Sequence, residues 1–129
     1  MSSKINDFRP QTIAQAIEGM ALAYDPAQGQ TLSETIQFHV SGEGGGDWVL
    51  EIGNGRCHCR TGTAPNPSLT ITTPAAVWLA IARKEKSGAL ALMTGKYKAG
   101  GNIGLLLKLD KIFSRQPSEA ELAERGWLN

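Results

Sequence analysis

Residues 90–113, LALMTGKYKAGGNIGLLLKLDKIF, combine an apolar helical end, a short basic strand, a Gly-Gly turn and a Leu-rich amphipathic segment. In the Leu-rich segment, apolar residues recur at helical spacing, namely at Ile103, Leu106, Leu107, Leu109 and Ile112. Lys108 and Lys111 lie between them on the other side. Such an apolar face must be covered, either by the protein core or, where the core is open beneath it, by an apolar ligand.

Length and charge limit the classes of protein to which the chain can belong. Its 129 residues suffice for one domain with a substantial core and no disulfide bonds. We expect a single domain over residues 1–129, with a core at about 10–113 and a tail at 114–129. The formal net charge of +1 argues against a dedicated nucleic-acid binder.

Two features indicate a protein of the cytoplasm. The N-terminal residues MSSKINDFRP contain no apolar stretch of the kind found in secretory signals. The longest wholly apolar run, residues 75–82, is far too short to cross a bilayer. We therefore predict a cytoplasmic location.

The first half of the chain has the pattern of a helix followed by three strands. Apolar residues at helical spacing predict a helix over residues 10–23. Alternation of apolar and polar residues predicts antiparallel strands over residues 35–40, 48–52 and 56–61. Gln37 and His39 are expected to point outward from the first strand, and Asn54-Gly55 is a strong signal for the hairpin between the second and third.

The second half alternates strands and helices. We predict a strand over 68–72, a helix over 74–83 with Thr73 as its N-cap, a short helical segment, a strand over 95–99 and the Leu-rich helix. Gly100-Gly101 is expected to form the turn into that helix. Ser118 and Glu121 have the spacing of a capping box for a last helix over 119–125, and the apolar end of the tail should fold back.

Three motifs that resemble catalytic or metal sites are better explained by structure. The Gly-rich residues 41–47 lack the Gly-Lys-Ser/Thr and the following helix of a phosphate loop, so they indicate a hairpin loop. Cys57 and Cys59 share one strand face and His58 lies on the other, so the three cannot bind one zinc ion. We expect reduced thiols and surface histidines, with no catalytic residues and no metal.

The order of these elements, together with three sequence segments, resembles the sterol carrier protein type 2 family over residues 10–113. The segments are SGEGGGDWVLEI at 41–52, PNPSLTIT at 65–72, and TGKYKAGGN followed by the leucines at 94–107. Asn102 departs from the family pattern, which usually has an acidic residue after the glycine turn.

The resemblance implies an α+β fold in which a five-stranded, mainly antiparallel sheet has helices packed on one face, with an apolar tunnel between them. It implies binding and transfer of fatty acids, acyl-CoA, sterol-like or other lipids, without catalysis or a cofactor. The predicted cavity residues are Phe38, Leu50, Trp78, Leu90, Met93, Tyr97, Ile103, Leu106, Leu107 and Phe113. For each of these, ordinary core packing is the alternative.

Two further interpretations remain open. The domain can instead be an accessory or assembly module for an enzyme that acts on lipids or quinones, with that enzyme or a second copy as partner. Lys96, Lys98, Lys108 and Lys111 form a basic surface that either keeps exposed edges soluble or docks transiently on anionic membrane.

Overall fold

The computed structural model describes residues 10–29, 32–115 and 117–127. In chain order the elements are α1 (Ile13–Leu22), α2 (Pro26–Gly29), β1 (Glu34–Ser41), β2 (Gly46–Gly53), β3 (Arg56–Thr61), β4 (Leu69–Pro74), α3 (Ala75–Ala82), α4 (Gly88–Met93), β5 (Lys98–Gly101), α5 (Ile103–Leu106), α6 (Leu109–Ile112) and α7 (Glu119–Glu124). The extent of the domain over 1–129 stays a prediction, since the structure does not describe every residue.

The strands form one five-stranded sheet in the order β3-β2-β1-β4-β5. Three of the four pairings are antiparallel, and β1 runs parallel to β4. The parallel pair requires a long crossover, which β2 and β3 supply as a meander on one side of β1. The prediction of a mainly antiparallel five-stranded sheet is confirmed.

The hairpin between β2 and β3 forms at the predicted dipeptide. Asn54 and Gly55 have φ angles of 54° and 75°, the left-handed values that a two-residue type I′ turn requires. Glycine and asparagine tolerate this region better than other residues, so the local sequence fixes the register of both strands.

The helices cover one face of the sheet and enclose the core. Ile36, Phe38, Leu50 and Ile71 are fully buried on that face, in one cluster with residues of α1, α3, α5 and α6. At about 25 cal/mol per Å² of apolar surface, this layer is the main source of stability. The apolar alternation of β1 and β4 therefore decides which face carries the helices.

Gln37, which was predicted to point outward from β1, is buried on the opposite face. Its amide Nε2 donates to the carbonyls of Trp48 and Gly62, and its Oε1 accepts from the Ala64 amide at 2.7 Å. The chain after β3 therefore lies against this face and satisfies the side chain. A strand pattern cannot reveal such a covering loop, since the loop pairs with Gln37 over a long sequence separation.

The fifth strand begins later than predicted. Residues 95 and 96 instead close the C-terminal end of α4, because the Gly95 and Lys96 amides donate to the Leu92 and Ala91 carbonyls at 3.1 and 2.8 Å. The strand is Lys98–Gly101, so Tyr97 precedes it and the two glycines pair with β4 instead of forming a turn. The prediction of a strand over 95–99 is wrong in its bounds.

The Leu-rich segment is two short helices, not one. Asn102 caps α5, with its Oδ1 accepting from the Leu105 amide at 3.0 Å. The Lys108 amide then bonds to the Leu105 carbonyl, an i→i−3 contact that tightens the chain, and α6 begins at Leu109. Leu105, Leu106 and Leu109 are buried, and Leu107 is left exposed.

Three helix ends can be compared with the predicted caps. α1 begins at Ile13, with Thr12 accepting from the Gln15 amide, rather than at residue 10. β4 continues to Pro74, so Pro74 and not Thr73 is the N-cap of α3. The Ser118–Glu121 capping box of α7 is present as predicted.

Candidate ligand-binding pocket

A pocket of about 990 Å³ opens among the helices on the covered side of the sheet. α1, α3, α4 and the α5–α6 segment provide its walls, and the chain after Phe113 borders it. Apolar side chains from these helices line it, including Ala16, Met20, Ile81, Leu92, Leu106 and Leu109. The pocket is open to solvent, and an enclosed tunnel stays a prediction.

A chain of three aromatic rings connects the sheet to the pocket. Phe38 on β1 contacts Trp78 on α3 edge to face, with ring centroids 5.2 Å apart. Trp78 in turn contacts Tyr97 at 5.5 Å, and both residues line the pocket. Burial raises the pKa of Tyr97, and the nearby Asp110 carboxylate raises it further. This part of the lining therefore stays uncharged at neutral pH.

One edge of the pocket is basic. Lys84, Glu85 and Lys86 line it from the loop between α3 and α4. Arg83 Nε donates to the Glu85 carboxylate at 3.1 Å, and its Nη1 donates to the Pro10 carbonyl at 2.8 Å. Because Arg83 and Glu85 offset each other, Lys84 and Lys86 give this edge a net positive charge.

The C-terminal segment is held beside the pocket by Arg115. The Arg115 guanidinium donates to the Leu22 carbonyl at the end of α1 and to the Glu121 carboxylate at 2.9 Å. Hydrogen bonds from Arg115 and from the Ser118 amide hold the pKa of Glu121 below its usual value. Arg115 and Pro117 both line the pocket, so the start of the tail borders it.

The ten predicted cavity residues fall into three groups. Those that line the pocket are Trp78, Tyr97, Leu106, Leu107 and Phe113. Phe38 and Leu50 lie in the core with no exposed surface and do not line the pocket. Leu90, Met93 and Ile103 are exposed and lie outside the pocket lining. Whether any of the ten contacts a ligand stays a prediction.

The wall contributed by α1 was not identified from the sequence. Ala16, Gly19, Met20 and Ala23 all line the pocket, and they recur at the i, i+3, i+4, i+7 spacing of one helix face. This face adjoins the buried face of Ile13, Ala16 and Ile17. Small residues along a helix face were the available signal, because they leave space between that helix and its neighbours.

The four predicted docking lysines, Lys96, Lys98, Lys108 and Lys111, are all exposed. Lys98 lies on β5 beside Ala99, which packs against the core, so the Lys98 side chain extends from the opposite face of the sheet. Lys108 directly precedes α6 and Lys111 lies within it, so both are on the helical side of the sheet. The lysines therefore do not all share one face.

A smaller cavity of about 390 Å³ lies between α1 and β3, lined by both cysteines, His58, Glu18 and Arg125. Both thiols are free. Burial raises the pKa of Cys57 to about 12 and that of Cys59 to about 11. Protonated thiols are weak nucleophiles and poor metal ligands, and no metal-binding group of three or more His, Cys, Asp or Glu residues occurs in the described ranges.

Among the helices that the structure describes, none has the length and apolar character needed to cross a membrane. The cytoplasmic location stays a prediction.

The fold and the pocket together define a small α+β domain with an open pocket that is lined by apolar side chains and bordered by charged ones. The model of the SCP-2 sterol transfer family matches residues 14–114, and the chain belongs to this family.

Relatives and solved structures agree with this assignment. The chain is 29% identical over 87 residues to hydroxysteroid dehydrogenase-like protein 2 of Xenopus tropicalis, covering 67% of this chain but only 21% of that protein. Palmitated SCP2L2 from Aedes aegypti has a TM-score of 0.64 and 22% identity, covering 92% of this chain and all of that one. The sec-alkylsulfatase Pisa1 from Pseudomonas sp. has a TM-score of 0.64 and 19% identity, covering 73% of this chain and 15% of the enzyme. The predicted fold and family are confirmed.

Proposed function

We propose that the chain binds the hydrocarbon part of a lipid, such as a fatty acyl chain, non-covalently in the pocket among α1, α3, α4 and α5–α6. The observation that carries this proposal is the pocket itself, about 990 Å³ and walled by apolar side chains from four helical segments. This volume lies at the upper end of the range of about 300–1,000 Å³ typical of small-molecule sites. The palmitated Aedes aegypti structure has the same fold and supports an acyl chain as the ligand class.

Burial of methylene groups would supply the affinity. Each buried CH₂ contributes about 0.8 kcal/mol, so ten of them contribute about 8 kcal/mol before the cost of association is subtracted. Trp78, Ile81 and Leu106 provide apolar contacts without fixed hydrogen bonds, so the chain length of the ligand should matter more than its detailed shape. Modest selectivity among lipids and their transfer between membranes are consistent with such a site.

Binding without catalysis accords with the polar residues of the lining. The hydroxyl of Ser87 accepts the Leu90 amide as an N-cap, and that of Ser114 donates to the Lys111 carbonyl. Both hydroxyls are thus engaged by the backbone. The pKa of Tyr97 is raised, which makes it a poor base at neutral pH.

A second candidate function is that of a module serving a lipid-handling enzyme. Two of the matched proteins, a dehydrogenase-like protein and an alkylsulfatase, are several times longer than the matched region. This supports a role in which the pocket presents lipid to an enzyme, joined covalently or as a partner, or in which two copies associate. If the chain co-purified with a stable enzyme partner while its own pocket held no lipid, this function would be favoured over lipid carriage.

Mass spectrometry of protein purified without detergent tests the first proposal directly. We expect a lipid in the organic extract and a matching mass increment on the intact protein under native conditions. Denatured protein is the control, since a covalent adduct would persist there and a bound lipid would not. If no adduct forms even after incubation with palmitate, acyl-CoA, sterol and quinone, the carriage proposal is wrong.

A further inference from the structure

Four large apolar side chains are strongly exposed on two neighbouring parts of the chain. In the described residues they are Leu90 (59% exposed), Met93 (81%), Ile103 (41%) and Leu107 (76%). Two belong to α4, and two to α5 and its C-cap, and both segments also contribute residues to the pocket lining. We name these four residues the apolar rim. Isolated exposed leucines are ordinary, but four large apolar side chains exposed on segments that also line a pocket indicate a contact surface.

Helix geometry places the apolar rim next to residues that line the pocket. In α4, Ala89 and Leu92 line the pocket. Met93 is four residues after Ala89 and therefore lies on the same side, one turn on. Leu107 lines the pocket itself, and Ile103 is one turn before it. The exposed side chains thus continue the pocket lining outward into solvent.

The segments that carry the apolar rim are rich in positive charge. Residues 84–111 contain six lysines and two acidic residues, Glu85 and Asp110. Glu85 is already paired with Arg83 at 3.1 Å. Lys84 and Lys86 border the pocket, while Lys96 and Lys108 are exposed beside α4 and α5.

These charges favour one of two possible partners for the apolar rim, a second copy of the chain or a lipid bilayer. A second copy of the chain, joined through the same face by two-fold symmetry, would bring the two sets of lysines together. Like charges across an interface oppose association. An anionic bilayer instead offers hydrocarbon for the apolar residues and phosphate or carboxylate groups for the lysines.

We propose that the apolar rim is a membrane-docking surface, on which Leu90, Met93 and Leu107 enter the headgroup region of an anionic bilayer while Lys84, Lys86, Lys96 and Lys108 contact lipid headgroups. The docked chain has its pocket mouth against the membrane. This goes beyond lipid binding by the pocket, because the rim can dock whether or not the pocket is filled. Leu90, Met93 and Ile103, predicted as cavity residues, act instead at the membrane.

Vesicle co-sedimentation tests the surface. The wild-type chain should bind phosphatidylcholine vesicles that contain phosphatidylserine, and binding should weaken as salt rises. The variant Leu90→Ser with Met93→Ser should bind these vesicles at least about tenfold more weakly, since each apolar side chain that leaves the bilayer loses its burial. Neither residue lines the pocket, so palmitate binding in vesicle-free buffer should not change. That second readout separates failure of docking from failure of the pocket.

Tryptophan substitution locates the contact. Quenching by brominated phospholipid should exceed the wild-type background in Met93→Trp, where the new indole enters the bilayer. Thr72→Trp, exposed on the opposite face of the sheet, should show no added quenching. The proposal is overturned by salt-insensitive binding, by equal binding of the double serine variant, or by quenching at Thr72→Trp alone. The proposal would also be overturned if the wild-type chain dimerised and the serine substitutions abolished the dimer. In that case a second copy of the chain would cover the apolar rim.

Discussion

Trp78 and Tyr97 meet edge to face, with ring centroids 5.5 Å apart and planes at 83°. The contact packs α3 against the segment that leads into β5. These two parts of the chain are separated in sequence by α4. Edge-to-face pairs contribute about 0.5–1.5 kcal/mol beyond their buried area. Because both rings also line the pocket, the pair couples the stability of the helical layer to the shape of the site.

Trp78 should report directly on ligand binding. A brominated fatty acid in the pocket would lie against its indole and quench the fluorescence. Of the other two tryptophans, Trp48 is buried on β2 and Trp127 contacts Arg125, and neither lines the pocket. Titration of wild type and Trp78→Phe should therefore show saturable quenching that the substitution largely removes. Equal quenching in both proteins would place the ligand elsewhere.

Filling the pocket should weaken binding. Ala82 lines the pocket near the end of α3, and Ala82→Trp would place an indole in the space proposed for the acyl chain. We expect palmitate affinity to fall at least about tenfold, which corresponds to the loss of about two buried methylenes. Isothermal titration measures the change.

Ala76→Trp is the matched control, on the same helix but exposed and outside the lining. It should bind palmitate as the wild type does. An equal loss of affinity in both variants would indicate damage to α3, and unchanged affinity in Ala82→Trp would move the site away from that wall.

The two glycines of β5 should differ sharply in tolerance to alanine. Gly101 has φ of +95°, and a Cβ there would lie 2.5 Å from the Ser68 carbonyl oxygen. Gly101→Ala should lower the free energy of unfolding by about 1–3 kcal/mol. Gly100→Ala meets nothing within 4 Å and should stay within about 0.5 kcal/mol of wild type. Urea denaturation measures both, and similar values would contradict the geometry of this strand.

The buried thiols should make stability depend on alkaline pH. Burial raises the pKa of Cys57 to about 12 and that of Cys59 to about 11, from 9.0 in the unfolded chain. The unfolded state therefore loses these protons first. The stabilising effect is complete below pH 9 and is lost as pH rises through the folded values.

Comparison of wild type with the double variant Cys57→Ala, Cys59→Ala isolates this effect from other titrations. Denaturation at about pH 8 and about pH 10 should show that wild type loses more stability than the variant between the two. Equal losses would mean that the thiols ionise as readily in the folded protein as in the unfolded one.

Local signals in the sequence predicted the fold well. Asn54-Gly55 and the Ser118–Glu121 box depend on residues next to one another, and both form as expected. The alternation in β1 correctly identified the core face through Ile36 and Phe38. These features depend on neighbours in the chain, which a single sequence contains.

Features that depend on distant partners were missed. Gln37 is buried by the loop at Gly62–Ala64, about 25 residues later. The α1 wall of the pocket depends on how α1 lies against α3, α4 and α6. Periodicity placed Leu107 on the covered face, whereas the structure buries Leu105 and leaves Leu107 exposed, because the packing of other elements decides which side of the segment faces the core.

The position of β1 in the middle of the sheet has a consequence for synthesis of the chain. β1 leaves the ribosome before either of its neighbours, and β4 cannot pair with it until residue 74 has been made. During that interval the β1–β2–β3 meander can assemble with α1, but one side of β1 has unpaired backbone groups, and its apolar face lacks α3, α5 and α6. The parallel pairing is also the contact of high sequence separation that slows folding. The nascent chain is thus most prone to aggregation between completion of β3 and arrival of β4, and a chaperone that shields this edge should raise the yield of native protein.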